Sequence, residues 1–508
     1  MINVYLEDQS FSYDVHSLVK AFYPGEDVGI AEYDRACPIA ADFSGFAVRY
    51  EPRDPGDGAV VSPSDPGDGA VVNVVCSALE DGRTLASETA DISGLDRAEV
   101  KSAMKQALYR LLSMYTNQKL PWGTLTGIRP TKIPMKMIVE GKSDDEIKLY
   151  LDNTYYVSDG KIKLATEIAH LEKNIIESTH GVEGFSLYVG IPFCPTTCMY
   201  CSFTSYPIVK FKDMVDTYLD TLEHELCEVS KLDTGKYLDS VYIGGGTPTT
   251  LEPEQIERLD GMIRKYFDFA NVKEYTMEAG RPDSLTIEKL AAMKKCGIGR
   301  ISVNPQTMHD ETLKIIGRRH SVADTIRAFN MAREAGFDNI NMDIILGLPG
   351  EDAQMVSETL DEIAKLGPDS LTVHSMAIKR AAGMHHFLME HEEIKSVNTP
   401  EMMDMAVEAA KKQGLNPYYL YRQKNMAGNL ENVGFAREGK YGLYNILIME
   451  EIQSIVACGA GTVTKRVYGD GVSDSNARIE RCDNVKDVSL YIDKIDEMIE
   501  RKRQLFER

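Results

Sequence analysis

The sequence contains no run of 18 or more apolar residues, and its first stretch, MINVYLEDQSFSYD, has no basic segment followed by an apolar core. We therefore expect neither a membrane span nor a secretory signal, and a cytoplasmic protein. Basic residues are in deficit, since 56 Lys and Arg stand against 78 Asp and Glu, which gives a net charge of −22. This deficit argues against nucleic acid as a partner, although a locally basic cleft could still bind an anionic small molecule.

Cysteine is also scarce, with nine residues in a chain of 508. In the cytoplasm these are not expected to form disulfides, so we interpret them as small buried side chains or, where they cluster, as metal ligands. The apolar content of 43% and the charged content of 26% are those of an ordinary globular protein. The length is sufficient for two or three domains.

Changes in composition along the chain predict four regions. Strand-like runs come first, helical periodicity follows, and strands then alternate with helices before helical patterns resume. The predicted regions are a small α+β module (1–92), a helical region (93–182), a core barrel (183–395) and a C-terminal α-rich domain that closes over the barrel (396–508).

A short repeat and a basic loop stand out in the first two regions, and both can be explained without a functional role. The motif DPGDGAVV occurs twice, at 54–61 and 65–72, and its Asp-Pro-Gly and Asp-Gly steps favour a duplicated surface turn. The loop LPWGTLTGIRPTKIP carries Trp122, Arg129 and Lys132. That loop could contact an anionic planar ligand, or it could pack between domains.

Short β-rich runs alternate with amphipathic helical stretches from residue 185 onward. Six such βα units in succession predict a parallel sheet with right-handed crossovers, in the form of a partial or open barrel of the α/β class. In such folds ligands bind at the carboxyl ends of the strands. The predicted strands are SLYVG (186–190), SVYIG (240–244), EYTME (274–278), RISVN (300–304), INMDIIL (340–346) and SLTVHS (370–375).

Three cysteines follow the first of these strands within GIPFCPTTCMYC, with the spacing C-x3-C-x2-C. Cys194, Cys198 and Cys201 are one short of the four protein ligands that a structural zinc site normally has, which makes zinc the less favoured metal. A cubane iron–sulfur cluster is the other group that thiolates bind, and it too usually takes four cysteines. With three, one iron would keep an open coordination position, which is what a catalytic metal site requires.

The motif CPTTCMYC at the end of a first strand, followed by a βα barrel, resembles the radical S-adenosylmethionine (SAM) superfamily. The resemblance implies that the three cysteines hold a [4Fe–4S] cluster and that the methionine part of SAM chelates the fourth iron. Reduction of SAM there yields a 5′-deoxyadenosyl radical that abstracts hydrogen from a substrate. Residues that match the family's SAM-binding positions are Tyr200, Gly245, Gly246, Thr247, Glu278, Gln306, Arg318, Asp343 and Ala377.

Within the superfamily, LYVGIPFC, IGGGTPT, LKIIGRRH and MDIILGLPGE together resemble the oxygen-independent coproporphyrinogen III oxidase group, in its HemZ-type branch. This resemblance implies the oxidative decarboxylation of two propionates of coproporphyrinogen III to vinyl groups in haem biosynthesis. It also implies an electron donor of the flavodoxin or ferredoxin kind and an electron acceptor. Tyr188 matches a family tyrosine near SAM and substrate, and is the candidate catalytic residue.

A substrate with four carboxylates requires cations, and arginine suits a carboxylate because it can donate two parallel hydrogen bonds. The candidate substrate-binding residues are Arg281, Lys379, Arg380, Arg422 and Lys424. The chain departs from the characterised oxidases at two positions. They have a histidine where this chain has Gly190, and a further cysteine where it has Phe203.

Other functions are compatible with the same motifs. A haem-binding chaperone on this scaffold could use His385, His386 or His391 in MHHFLMEHEE as axial ligands, although a solvated helix face also explains them. A radical enzyme that acts on haem itself is a second alternative, and a structural zinc protein is a third.

Overall fold

The computed structural model describes residues 1–34, 39–40, 42–52, 72–127, 129–377, 383–391, 394–423, 430–469 and 478–507. The strands in this part of the chain are β1 (Ile2–Leu6), β2 (Val28–Glu32), β3 (Gly45–Pro52), β4 (Val72–Glu80), β5 (Arg83–Asp91), β6 (Gly184–Ile191), β7 (Phe193–Cys194), β8 (Tyr206–Pro207), β9 (Tyr237–Gly245), β10 (Glu274–Glu278), β11 (Arg300–Ser302), β12 (Ile340–Leu346), β13 (Ser370–Ser375), β14 (Asn416–Tyr421), β15 (Asn432–Ala436), β16 (Ser454–Cys458), β17 (Val463–Tyr468) and β18 (Arg478–Asp483).

The helices are α1 (Ser12–Phe22), α2 (Arg97–Thr116), α3 (Lys132–Val139), α4 (Asp144–Tyr155), α5 (Asp159–Glu177), α6 (Ile208–Phe211), α7 (Val215–Val229), α8 (Pro253–Tyr266), α9 (Ile287–Lys295), α10 (Asp310–Ile315), α11 (Val322–Glu334), α12 (Ala353–Leu366), α13 (Gly383–Glu390), α14 (Pro400–Lys412), α15 (Leu443–Glu450), α16 (Val488–Asp493) and α17 (Ile495–Glu507). None of these helices is both long enough and apolar enough to cross a bilayer.

The chain forms two compact units. The first comprises Met1–Ile128 and Lys142–Leu164, and the second comprises Arg129–Gly141 and Ala165–Arg508. In the first unit β1 to β5 form a sheet in the order β2-β1-β3-β4-β5, and α1 and α2 pack their apolar side chains into its core. The DPGDGAVV repeat joins β3 to β4 and lies outside the described residues, apart from its last residue.

The second unit is built on a parallel barrel sheet, as predicted. β6, β9, β10, β11, β12 and β13 are adjacent in that order, and each pairs in parallel with the next. Three predicted strands match the structure to the residue, at 274–278, 340–346 and 370–375. The α/β class and the run of six parallel barrel strands are therefore confirmed.

Strands from the C-terminal segment extend this sheet at both edges. β16 pairs in parallel with β6 and is followed by β17 and β18, whereas β15 pairs antiparallel with β13 and then with β14. Because two antiparallel pairings separate β13 from β14, β14 runs in the direction of the barrel strands. The helical periodicity after residue 395 predicted α14, but it did not predict these additions to the sheet.

Alternation along the strands separates an apolar layer from a polar one. Leu187, Val189 and Val241 are fully buried on one face of the sheet. Tyr188 and Tyr242, which alternate with them, point to the other face together with Glu278. Side-chain caps fix where several barrel helices start, since Thr286 caps α9, Ser321 caps α11 and Asp352 caps α12. The loops between strand and helix are thereby held at the end where the conspicuous motifs occur.

Candidate functional site

The cysteine loop begins where β6 passes into β7. Cys194 is buried at the end of β7, and Cys198 and Cys201 are half-buried in the loop that follows. The three thiols stand on one short loop, in which the Cys201 N–H donates to the Cys198 carbonyl at 3.1 Å. Within the described residues, no three His, Cys, Asp or Glu side chains are grouped so that they could hold a single metal ion.

Two side chains donate hydrogen bonds to these thiols. Thr247 Oγ1 lies 3.4 Å from Cys194 Sγ, and Arg281 Nη1 lies 3.5 Å from Cys198 Sγ. Burial raises the pKa of Cys194 to about 11, and the bond from Thr247 opposes that shift. Metal ligation requires thiolates, so iron would have to displace protons here, with the two donors helping to stabilise the charge.

Arg281 is committed to the cysteine loop. Its guanidinium donates to the Thr196 carbonyl (3.1 Å) and to Thr196 Oγ1 (3.0 Å), as well as to both oxygens of Asp283 (2.9 and 2.8 Å). The side chain is 3% exposed. It was a candidate for binding a substrate carboxylate, but the structure places it behind the thiols, where it positions the loop.

The glycine-rich segment after β9 runs against the start of the cysteine loop. The N–H groups of Gly246 and Thr247 donate to the carbonyls of Ile191 and Phe193, at 2.8 and 2.7 Å. A Cβ on Gly246 would come within 2.6 Å of the Phe193 carbonyl oxygen. Gly245 has φ of +108°, a conformation that favours glycine. The segment therefore needs glycine to approach the loop this closely.

Glu278 closes β10 beside this segment. Its Oε1 accepts the Tyr242 hydroxyl at 2.8 Å, and the Gly245 N–H donates to the same carboxyl. Burial, with a smaller contribution from Asp343, raises the pKa of Glu278 to about 7, while the Tyr242 bond and Arg300 oppose the shift. The carboxyl is thus poised to ionise near neutral pH and to gain from a cationic ligand.

Three tyrosines stack next to Glu278. The ring centroids of Tyr188 and Tyr242 are 6.0 Å apart, those of Tyr242 and Tyr444 are 4.5 Å apart, and those of Tyr188 and Tyr444 are 5.8 Å apart. Burial and the charge of Glu278 raise the pKa of Tyr188 well above its usual value, so the phenol is neutral. In the part of the chain that the structure describes, the Tyr188 hydroxyl has no hydrogen-bond partner, which leaves it available to a ligand.

Gln306 and Asp343 lie on adjacent chain segments at the strand ends. The Gln306 N–H donates to the Asp343 carbonyl at 2.9 Å, and Gln306 has φ of +70°. Its side chain is 6% exposed, yet its Oε1 has no hydrogen-bond partner. Asn341 donates to the Asp343 carboxylate at 2.6 Å, and His374 lies 3.8 Å from it. An orphaned acceptor on a strained residue is the kind of group that a bound ligand satisfies.

Arg318 and Tyr200 form a buried pair behind the loop. Two guanidinium nitrogens lie 3.2 and 3.1 Å from the Tyr200 hydroxyl, and a third donates to the carbonyls of Gly280 (3.2 Å) and Asn304 (2.6 Å). Arg318 therefore ties the cysteine loop to the ends of β10 and β11.

The remaining predicted residues are distributed as follows. Ala377 is half-buried just after β13, and Arg422 is 4% exposed just after β14. Burial lowers the pKa of Arg422 to about 10, and Glu431 opposes the shift. Lys379, Arg380 and Lys424 lie outside the described residues, and so do the side chains of His385 and His386. The His391 ring packs 4.6 Å from that of Phe387.

Sequence reasoning missed two residues of the site. Tyr242 lies directly across from Tyr188 in the β6–β9 register, so the parallel pairing of the two predicted strands was the signal that could have found it. Tyr444 comes from α15, and no local pattern links it to the barrel. Gly190 has a structural reason that the sequence did not show, because a Cβ there would lie 2.5 Å from Thr462 Cγ2.

Taken together, the residues present fit a [4Fe–4S] cluster with SAM. Two of the three thiols accept a side-chain hydrogen bond, and Gly246 lets the glycine-rich segment pack against the carbonyls of the cysteine loop. Glu278 and the orphaned Gln306 oxygen add polar groups at the same strand ends.

Comparison with known proteins identifies the family. The Radical SAM superfamily matches residues 188–363. The chain is 40% identical over 418 residues, 81% of its length, to the oxygen-independent coproporphyrinogen-III oxidase-like protein HemZ of Bacillus subtilis, and covers 82% of that protein. It is 36% identical over 195 residues to the heme chaperone HemW of the same organism, 38% of this chain and 51% of that protein.

The fold is also similar to the solved structure of coproporphyrinogen III oxidase (HemN) from Escherichia coli. The alignment covers 65% of this chain and 72% of that chain, with 23% identity and a TM-score of 0.48. By the long match to HemZ, the chain belongs to the radical SAM superfamily and, within it, to the family of oxygen-independent coproporphyrinogen-III oxidase-like proteins. The cofactors of that superfamily are a [4Fe–4S] cluster and SAM.

Proposed function

We propose that this protein is a radical SAM oxidoreductase that converts coproporphyrinogen III to protoporphyrinogen IX by oxidative decarboxylation of two propionates. The observation that carries the proposal is the cluster of Tyr188, Tyr242 and Glu278 on adjacent parallel strands, where the Glu278 carboxyl accepts the Gly245 N–H of the glycine-rich segment that packs against the cysteine loop. The similarity to a coproporphyrinogen-III oxidase-like protein over four-fifths of the chain supports the choice of substrate.

Each cofactor has a defined set of protein groups in this proposal. Cys194, Cys198 and Cys201 hold the cluster, and Gly245, Gly246, Thr247, Glu278, Gln306, Arg318, Asp343 and Ala377 line the SAM site, with Tyr200 at its edge. When bound, the cluster and SAM together supply one-electron chemistry that removes a hydrogen atom from the substrate. The Glu278 carboxylate, which already accepts hydrogen bonds from Tyr242 and Gly245, would accept a further hydrogen bond from the amino group of SAM.

Tyr188 faces the substrate as a neutral hydrogen-bond donor. Its raised pKa keeps the proton on the phenol, and its ring is held in place by Tyr242 and Tyr444. A propionate placed against the hydroxyl would receive one hydrogen bond. The side chain thereby orients the group that reacts, and it excludes water with its ring face.

Arg422 is the substrate cation that the described residues support. It follows β14, which runs in the same direction as the barrel strands and so ends on the same side as the cysteine loop. Burial lowers the pKa of Arg422, and a propionate carboxylate brought against its guanidinium would favour the charged form. Lys379, Arg380 and Lys424 follow β13 and β14 in the sequence and stay candidates for the other carboxylates.

Anaerobic incubation with coproporphyrinogen III, SAM and a reductant, followed by mass analysis of the porphyrin, tests the proposal. We expect a loss of two CO2 together with four hydrogens, that is, two propionates converted to two vinyl groups. Unchanged porphyrin from a protein that cleaves SAM and binds haem tightly would instead favour the chaperone function, which is that of the relative named HemW. The variant Arg422→Gln should raise the KM for the porphyrinogen. The fold-change in the rate of SAM cleavage should be smaller than the fold-change in this KM.

A further inference from the structure

Arg281 uses all of its hydrogen-bond donors behind the cysteine loop. A guanidinium has five N–H groups. Nε and Nη2 donate to the two oxygens of Asp283, Nη2 also donates to Thr196 Oγ1, and Nη1 donates to the Thr196 carbonyl and to Cys198 Sγ. All five are thereby engaged within the described residues, so the function of this side chain lies in the groups that it holds.

The bond from Nη1 to Cys198 Sγ is the one that bears on an iron–sulfur cluster. The two atoms are 3.5 Å apart, and the donor belongs to a cation that is almost fully buried. A hydrogen bond from a charged donor is roughly twice as strong as one between neutral groups, and burial protects it from screening by salt. Hydrogen bonds to the sulfurs and the net charge nearby set the reduction potential of such a cluster. The guanidinium therefore lies where it can favour the more negative state of the cluster.

Neighbouring side chains fix the orientation of the Arg281 guanidinium. The Asp283 carboxylate accepts two bonds from it, at 2.9 and 2.8 Å, and one oxygen of that carboxylate lies 3.7 Å from Nδ1 of the buried His320. The Thr196 hydroxyl accepts from Nη2 at 3.0 Å and donates to the Gly317 carbonyl at 3.2 Å. Because these contacts hold the fork from two sides, Nη1 stays directed at the sulfur.

We propose that Arg281 is a positioning residue that raises the reduction potential of the [4Fe–4S] cluster through its hydrogen bond to Cys198 Sγ. When the cluster accepts one electron from a reductant, its negative charge increases by one and no bond to a cysteine breaks. The N–H donor stabilises this added charge, whereas the Asp283 carboxylate, a fixed negative charge, opposes it. The inference rests on the cluster chemistry of the proposed function and is independent of its substrate.

The test measures the midpoint potential of the cluster in anaerobically reconstituted full-length protein. Dithionite is the reductant, the electron paramagnetic resonance signal of the reduced cluster gives the reduced fraction, and the iron content gives the loading. Arg281→Gln removes the charged donor, whereas Asp283→Asn removes the carboxylate and leaves the Thr196 contacts of the guanidinium. The matched control Arg333→Gln breaks another Arg–Asp pair, in which Arg333 lies 2.6 Å from Asp369 at the amino end of β12.

We expect Arg281→Gln to lower the equilibrium constant for one-electron reduction at least tenfold, and a tenfold fall corresponds to about 59 mV in midpoint potential. Asp283→Asn should move the midpoint in the opposite direction, to a more positive value, because the guanidinium charge is then no longer offset. Arg333→Gln should have the midpoint of the wild type. Opposite signs in the first two variants are the signature of an electrostatic effect, since a loss of loop structure would move both in one direction.

Three results would overturn the proposal. They are an unchanged midpoint in fully loaded Arg281→Gln, shifts of the same sign in Arg281→Gln and Asp283→Asn, and a comparable shift in the control. If Arg281→Gln takes up no iron, Asp283→Asn decides, because an unchanged or more negative midpoint there would also overturn it. Failure to decarboxylate porphyrinogen would refute the proposed substrate and leave these potentials as predicted.

Discussion

The raised pKa of Glu278 predicts that SAM binding depends on pH near neutrality. If the Glu278 carboxylate accepts a hydrogen bond from the SAM amino group, the ionised form is the competent one, and the carboxyl has a pKa of about 7 before SAM binds. The apparent affinity should therefore fall about tenfold for each pH unit below 7, which is about 1.4 kcal/mol per unit. Above pH 8 the affinity should level off. Equilibrium dialysis of SAM against reconstituted protein between pH 5.5 and 8.5 measures this profile.

Two variants show whether Glu278 is the group that titrates. Glu278→Gln should bind SAM weakly with a flat profile. Tyr242→Phe removes a hydrogen bond that stabilises the carboxylate, so the midpoint of the profile should move to higher pH. A profile that is flat in the wild type, or that persists in Glu278→Gln, would refute the reasoning.

Linkage predicts the effect of the same group on stability. The pKa in the folded protein lies above the unfolded value of 4.5, so the stabilisation by Glu278 is complete below pH 4.5 and is lost as the pH rises through about 7. A shift of this size corresponds to about 3 kcal/mol at most. Without SAM, Glu278→Gln should therefore raise the unfolding temperature relative to wild type at pH 8.5, and this gain should shrink on acidification.

Three further substitutions test other parts of the account. Cys198→Ala should abolish the cluster, seen as loss of the iron–sulfur absorbance after reconstitution, and retention of four irons per chain would show that the ligands are assigned wrongly. Lys502→Met leaves the Glu225 carboxylate buried without its cation. It should lower the free energy of unfolding, measured in urea, by about 3–5 kcal/mol. A decrease below about 1 kcal/mol would contradict the buried ion pair. Gly190→Ala should destabilise the protein by about 1–3 kcal/mol, because the new Cβ would overlap Thr462 Cγ2. The second substitution Thr462→Ser removes that methyl group and should restore stability. A double variant as unstable as Gly190→Ala would contradict the steric explanation.

The barrel could be predicted from sequence because its signals are local. Strand-like runs such as 340–346 alternate with amphipathic helices, and each run is bounded by a cap or a glycine, so the elements are defined within short windows. The cysteine spacing and the glycine-rich turn after β9 are local as well. Those patterns also indicated which end of the sheet carries the site.

Contacts between distant segments could not be predicted in this way. Arg281 looked available to a substrate because no local pattern shows that Asp283 and Thr196 occupy its guanidinium. The sequence does not explain why Gly190 departs from the family. The explanation is Thr462, which lies 272 residues further along the chain and leaves no space for a Cβ at position 190. Such pairings depend on tertiary packing, which hydrophobic periodicity does not encode.

Transfer of deuterium from substrate to SAM-derived product tests the central claim most directly. Coproporphyrinogen III deuterated at the propionate β-carbons is incubated anaerobically with the reconstituted protein, SAM and reductant, and the 5′-deoxyadenosine is analysed by mass spectrometry. The account predicts one deuterium per 5′-deoxyadenosine, alongside decarboxylated porphyrin. Unlabelled 5′-deoxyadenosine with intact coproporphyrinogen would contradict it.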